Sequence, residues 1–450
     1  MNTDKHGWTR NQQMLSGSRH LSRLKLRKSK VARMSKHVGI CPSKRHECRS
    51  PFAIVSPAQF LIRVHPCPSV VSILFSFLFL CGLPCFAASA PDFSEAATIL
   101  KQGIADRAYP GCAVAVGTKD KILWSAAFGF FDYEDTTAVA TNTIYDLASL
   151  TKVTGTTSVF MRLVEKGKVR ISDPASKYLP EIVDLAEGDA EKAKRRKITI
   201  EHLLTHTAGL GAGKRFAFHS HAKLVQAICR TSLEAEPGAH FRYSDFGMIL
   251  LGEIAARAGG KPLLQLEREL VFDPLGMTDT MRNPPASLIP RITPTEIPPG
   301  GHKPLRGVVH DENSHDNEGI TGHAGLFSTT GDLSKLAAEL LRALDGHSKI
   351  FSQAVVADFA RPHPMGTNSN RGLGWGFTDS KNSEEKNSTQ RALYHTGFTG
   401  TSMEIELDRK LFIILLTNRV HPTRDNNKIS RVRRDLPEAV MRAFDQSVTK

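Results

Sequence analysis

Ala148-Ser-Leu-Thr-Lys-Val-Thr-Gly155 sets a serine, Ser149, three positions before a lysine, Lys152. On a helix that spacing puts both side chains on one face and within reach of each other. A serine at a helix start also meets the positive end of the helix dipole and unpaired N–H groups, which stabilise a developing alkoxide. If burial or a neighbouring cation favours the neutral amine, Lys152 can take the hydroxyl proton. The competing reading is an N-cap serine beside a solvated lysine. Spacing does not decide, because Ser22/Lys25, Ser220/Lys223, Ser383/Lys386 and Ser447/Lys450 share it. Ser22 lies in a basic leader, Ser383 in a charged stretch and Ser447 at the terminus. Ser149 differs in its setting, following Ile144-Tyr-Asp-Leu and opening a helical pattern that runs over 154–165 to Gly167.

Two further stretches supply partners. Arg242-Tyr243-Ser244-Asp245-Phe246-Gly247 brings a phenol two residues from an acid, just before an apolar helix pattern over 247–258. Tyr394-His395-Thr396-Gly397-Phe398-Thr399-Gly400 leads into the last hairpin, where a glycine-flanked strand edge allows close approach of a substrate backbone and offers N–H donors. Taken singly, Tyr243 reads as a core tyrosine and His395 as a surface histidine.

In the order S-x-x-K, Y-x-D, H-T-G, the three resemble the serine β-lactamase and penicillin-binding hydrolase superfamily in its class C branch. Asp173-Pro174 with Tyr178-Leu-Pro-Glu181, residues 198–210, Pro274-Leu-Gly-Met277, residues 322–329 and Leu416-Thr-Asn418 are similar to it as well, so the resemblance spans roughly residues 94–445. Val309-His-Asp-Glu-Asn313 resembles a subgroup of exported hydrolases grouped with low-molecular-mass penicillin-binding proteins. The resemblance implies an antiparallel sheet flanked by N- and C-terminal helices beside a mainly helical lobe, the β-lactamase/transpeptidase-like α/β (α+β) class, with the site at their junction. It implies that Ser149 attacks an acyl carbon while Lys152 and Tyr243 handle its proton. His395 and Thr396 would hold a substrate carboxylate or carbonyl, and the N–H groups of Ser149 and Phe398, the latter presented after Gly397, would form the oxyanion hole. No metal or other cofactor is required.

Two positions depart from the family pattern. Asp245 stands where the family has Asn, whose amide donates to substrate; an ionised Asp245 only accepts. It would pair with Lys152 and hold it protonated, moving the base role to Tyr243. His395 replaces the lysine of K-T-G, a change the family shows among D-Ala-D-Ala carboxypeptidases and aminopeptidases, which favours a peptidase or esterase over a potent β-lactamase.

Away from these motifs, the strand-like runs 112–116 and 121–128 form a hairpin after an amphipathic start over 93–105. Further helical patterns cover 200–204, 222–231, 263–271 and 332–344, a second hairpin joins 402–407 to 411–417, and a closing helix spans 436–444. Residues 283–304 hold seven prolines in 22 residues and read as a long surface excursion, a candidate for choosing among substrates. Strands at both chain ends with helices between them predict a sheet completed by the C-terminal segment.

The 450 residues carry a net charge of +14, but residues 1–68 hold 14 Lys or Arg against two acids, a net +12. The excess belongs to a leader and not to a nucleic-acid surface. An apolar run over 70–79 and Ala88-Ser-Ala90 complete a secretory signal with cleavage expected after Ala90. The expected domains are therefore a non-folding leader over 1–68 that contains a mis-assigned start, a signal region over 69–90, and one bilobed catalytic domain over 91–450. The product is exported, periplasmic or secreted, with no membrane span after cleavage. A lipoprotein anchor at Cys81 is disfavoured by the bulky Leu80. Five of seven cysteines fall in the leader and signal region, and only Cys112 and Cys229 survive maturation, so there is no disulfide framework. A monomer acting on a small molecule or a peptidoglycan peptide, without nucleic acid, is expected. The alternatives are a penicillin-binding sensor or scaffold without turnover, suggested by Asp245, and a metal-dependent hydrolase built on His202, His206, His219 and His221. The latter lacks the glutamate that follows the first histidine of a zinc-protease helix.

Overall fold

The computed structural model describes residues 90–134, 136–367, 371–379 and 391–449. The basic leader, the apolar signal run and the Ser383/Lys386 string lie outside them. The chain divides into units over 1–81 and 82–450, and every described residue falls in the second.

Among the described residues the strands are β1 (Gly111–Thr118), β2 (Ile122–Gly129), β3 (Tyr145–Asp146), β4 (Met281–Arg282), β5 (Leu326–Ser328), β6 (Gly376–Asp379), β7 (Arg391–Thr396), β8 (Ser402–Glu406) and β9 (Leu411–Thr417). Six of them form an antiparallel sheet in the order β2-β1-β9-β8-β7-β6, so the C-terminal segment does complete a sheet begun by the N-terminal hairpin. Cys112, Val114 and Val116 of β1, with Leu411, Ile413 and Leu415 of β9, pack against Leu100 of the first helix (Ser94–Ala105) and Val432, Leu436 and Val440 of the last (Ile429–Val448). Ala113, Phe412, Ile414 and Leu416 face the other way, into the core shared with the helical lobe. Cover on both faces explains why β1 and β9 read as continuous apolar runs and not as alternating ones.

Between β2 and β6 lie the lobe helices, among them Ser158–Glu165, His221–Arg230, Asp245–Gly259 and Thr330–Leu344. A small sheet, β3-β5-β4, accompanies them. Its strands have two or three residues each, too few for alternation to show in a sequence. β3 pairs with β5 through Tyr145–Ser328 and Asp146–Phe327, which anchors the chain directly ahead of the S-x-x-K string.

Several elements differ from expectation. The helix after Leu147 is a 3₁₀ turn (Ala148–Leu150), then a π-helical stretch (Lys152–Thr157), then regular α-helix from Ser158. The pattern over 263–271 likewise breaks at Glu267 into a π-helical stretch, Arg268–Phe272. The helix from Asp245 is closed by Gly260 at φ 69°, one residue later than Gly259. The closing helix starts at Ile429 and not at 436, with Pro437 inside it; the proline withholds only one hydrogen bond while Val432, Leu436 and Val440 keep the apolar stripe buried. The proline-rich segment is not a surface excursion throughout. Ile292, Thr293, Thr295 and Glu296 are buried, because Asn418 donates to Pro294 O and Ile297 N–H to Pro422 O.

Candidate active site

Ser149 sits on a turn that its neighbours enforce. Asp146 is buried and accepts the N–H of Ala148 through Oδ1 (2.8 Å) and that of His310 through Oδ2 (2.7 Å). Leu147 N–H reaches Leu326 O at 2.9 Å. These bonds hold Ala148 at φ 46°, a left-handed conformation that costs a non-glycine residue roughly 1–2 kcal/mol. The result leaves Ser149 half-buried, with its amide among the first of a helical turn, where no intrahelical acceptor exists.

Lys152 follows one turn later with its side chain wholly buried. Its Nζ lies 2.8 Å from Ser149 Oγ, 2.7 Å from Asp245 Oδ1 and 3.1 Å from His323 O. The serine oxygen and the His323 carbonyl accept its hydrogen bonds, while the Asp245 carboxylate faces it as an ion pair. Burial works to lower the amine's pKa, but the Asp245 carboxylate and the Tyr243 phenol outweigh it and leave the value above the ordinary lysine range. The Tyr243 ring centroid is 5.1 Å from Nζ.

The Tyr243–Asp245 segment is held from below. Ser244 caps the helix Asp245–Gly259, accepting from Gly247 N–H (3.2 Å) and donating to Gly211 O (2.6 Å), while Asp245 N–H reaches Ala212 O (2.7 Å). His206 is buried; its Nδ1 accepts the N–H of Ser244 at 3.1 Å and its ring lies against Tyr243, centroids 4.7 Å apart. His202 instead caps its own helix through Thr199, so the two histidines do not converge, and no group of three metal-type side chains gathers among the described residues.

On the far wall, His395 and Gly397 are buried whereas Thr396 and Phe398 are exposed. The His395 ring lies 6.1 Å from that of Tyr243. Burial first, then the charges of Arg371 and Lys152, hold its pKa well below the usual histidine range, so the ring is neutral. Nδ1 is 2.9 Å from Thr396 O, and since a carbonyl only accepts, Nδ1 carries the proton. The remaining nitrogen, buried without a partner, is an acceptor. Holding a substrate carboxylate, as expected of His395, needs a donor there. The nearby donor is Arg371, a buried guanidinium over Phe241 whose charge acts on His206 and His395.

The turn after β7 is stapled to the chain before Ser149. Thr399 Oγ1 donates to Asp146 O (2.7 Å) and Thr401 Oγ1 to Leu147 O (2.9 Å). A Cβ on Gly397 would stand 2.4 Å from Leu147 O, so only glycine allows that approach. Phe398 N–H has no acceptor among the described residues. The structure thus brings Ser149, Lys152, Tyr243 and Asp245 into one cluster and sets 395–398 beside it. Sequence reading had not singled out Asp146, His323, Asp311 or Arg371. Asp311 Oδ1 accepts from His323 Nε2 at 2.8 Å, steadying the loop whose carbonyl receives Lys152. Although burial works against it, the His323 partner and the nearby Lys152 charge hold the Asp311 carboxyl well below its ordinary range. The hints in sequence were the V-H-D-E-N string, which holds Asp311, and residues 322–329, which hold His323.

The fold and this arrangement are those of a serine hydrolase. The Beta-lactamase family model matches residues 96–437, and the chain belongs to that family. A Salmonella agona protein with the provisional name D-alanyl-D-alanine carboxypeptidase is 32% identical over 360 residues, covering 72% of this chain and 82% of that protein. A class C β-lactamase from Rhodobacter sphaeroides superposes with a TM-score of 0.60 at 20% identity, covering 78% of this chain and 99% of that one. EstCE1, described as a hydrolase with promiscuous acyltransferase activity, gives 0.59 at 22% identity over 74% and 97%. No helix among the described residues is long and apolar enough to cross a membrane.

Proposed function

We propose that the protein is an exported monomeric hydrolase that works through an acyl-enzyme on Ser149, of the D-alanyl-D-alanine carboxypeptidase or esterase kind. The observation that carries this reading is the 2.8 Å contact between Lys152 Nζ and Ser149 Oγ in a buried setting, with Asp245 on the other side of the amine. Because the Asp245 carboxylate beside it favours the ammonium form, Lys152 supports the serine oxygen as a donor and not as a base. Ser149 Oγ bonds to the substrate's acyl carbon and the carbonyl π pair moves onto oxygen, facing the N–H groups of Ser149 and Phe398. The Tyr243 hydroxyl takes the serine proton as it passes its own to the leaving group, whose bond to carbon then breaks. Water repeats the sequence on the acyl-enzyme and frees Ser149.

The name of the Salmonella relative and the neutral histidine in place of a K-T-G lysine favour a D-Ala peptide or an ester over a β-lactam. Assay of the mature protein against a D-Ala-D-Ala peptide, nitrocefin and a nitrophenyl ester is expected to show turnover of the first or third. Ser149→Ala is expected to abolish labelling by a fluorophosphonate or a fluorescent penicillin, and Ser220→Ala to leave it intact; the reverse pattern refutes the assignment. The Lys152–Asp245 pair also favours a second reading, a sensor that acylates without release. A label that persists for hours on the wild-type protein would identify that reading. Export rests on the pattern over 69–90 and is checked by sequencing the mature N-terminus.

A further inference from the structure

We infer that Arg433, on the last helix, is a positioning residue for the Phe398 amide and through it for acylation; the inference rests on the reading of Ser149 above. One nitrogen of Arg433, Nη2, donates to Gly397 O at 2.6 Å and to Thr401 O at 2.8 Å. A trans peptide is planar, with its C=O and N–H pointing in opposite directions. Drawing the Gly397 carbonyl toward the helix therefore turns the Phe398 N–H away from it. Arg419 grips the next peptide, its Nε donating to Phe398 O at 2.8 Å, and Gly400 N–H closes the turn onto Gly397 O at 3.1 Å. On the other side the same turn meets Leu147 O, two residues before Ser149, through the Thr401 hydroxyl. The amide freed by the arginine is thus presented next to the nucleophile.

The electrostatics of Arg433 argue the same way. Its hydrogen bonds go to two carbonyls, Gly397 O and Thr401 O, and its Nε is buried without a partner among the described residues. Burial and the like charge of Arg419 bring its pKa down to about 10, so it remains a cation at neutral pH. Arg433 is partly buried, and charges drawn out of water are ordinarily paired. This one spends its charge on two carbonyls, which polarises the Gly397–Phe398 peptide and strengthens the N–H at its far end.

The experiment uses the mature protein with Arg433→Met, Arg433→Lys and Arg433→Ala. Expected for Arg433→Met is a fall in kcat for a nitrophenyl ester of roughly 10- to 100-fold, with KM little changed and thermal midpoint retained. A boronic-acid transition-state analogue should lose affinity in step with kcat, while a carboxylate product should not. Arg433→Lys should keep part of the rate, and low millimolar guanidinium should restore part of it to Arg433→Ala. Wild-type kcat in Arg433→Met overturns the inference. So does a parallel loss of kcat, product binding and thermal midpoint in all three variants, which marks a structural residue. Failure of the wild-type protein to be labelled at Ser149 overturns the functional reading and this inference together, whereas normal labelling with an indifferent Arg433→Met overturns this one alone.

Discussion

Asp245 and Lys152 form the contact on which the site's proton chemistry turns. Burial alone would depress the lysine; the carboxylate 2.7 Å away and the neighbouring phenol raise it instead. In Asp245→Asn the raising charge is gone and the lowering effect of burial stays, so the ammonium is lost at lower pH. The alkaline limb of kcat/KM is expected to move down by about 1–3 units, the usual effect of a close opposite charge, as read from a pH–rate profile; an unmoved limb contradicts the role given to Lys152. The variant also gains an amide donor and is expected to turn over nitrocefin faster. At this scale the sequence was informative about residues close to one another in the chain. Ser149 and Lys152 share a turn, and Tyr243 and Asp245 share a helix start. Arg371 and Arg433 were not legible, because a lone arginine shows nothing until folding sets it behind a particular peptide. The neutrality of His395 was equally hidden, being a product of burial and of charges from distant segments.

The turn after β7 shows how an element can be specified by one missing methyl group. Alanine at 397 would place Cβ 2.1 Å from Thr401 Oγ1 and 2.4 Å from Leu147 O, so the Thr401–Leu147 staple must open. Gly397→Ala is expected to lower stability by about 1–3 kcal/mol and activity by about 100-fold, since small misplacements of reacting groups carry that penalty. Thermal unfolding and ester turnover check the two effects separately. Regular elements were readable from their periods: the terminal hairpins, the first helix and Thr330–Leu344 all fall within a few residues of expectation. Irregular ones were not. The π-helical stretches at Lys152–Thr157 and Arg268–Phe272 arise where two elements crowd, and Gly155 shows the crowding directly, since a Cβ there would lie 2.4 Å from Glu267 Oε1. Such contact is a tertiary fact with no local signature.

Across the molecule, the site leans on a buried ion pair. Arg282 and Glu267 are fully buried and doubly bonded, Nε to Oε2 and Nη2 to Oε1, each at 2.8 Å. The other guanidinium hydrogens go to Gly319 O, Thr321 O and Ala324 O, so all five donors are used and the 319–324 loop is fixed. That loop carries His323 O, an acceptor for Lys152. Arg282→Met leaves the Glu267 charge stranded and is expected to cost about 3–5 kcal/mol in urea unfolding. Replacing both residues by apolar ones should cost clearly less, because no orphan charge remains. The sequence announced the overall plan through motifs spread from residue 148 to residue 418, but it was silent on this internal bracing.

The threonine staples tie residues 253 and 254 positions apart. A ribosome therefore delivers Ser149 long before the turn that is stapled to the chain ahead of it, and the helix bearing Arg433 follows that turn. Under the proposed mechanism, a copy cut ahead of Thr399 lacks both staples and is latent.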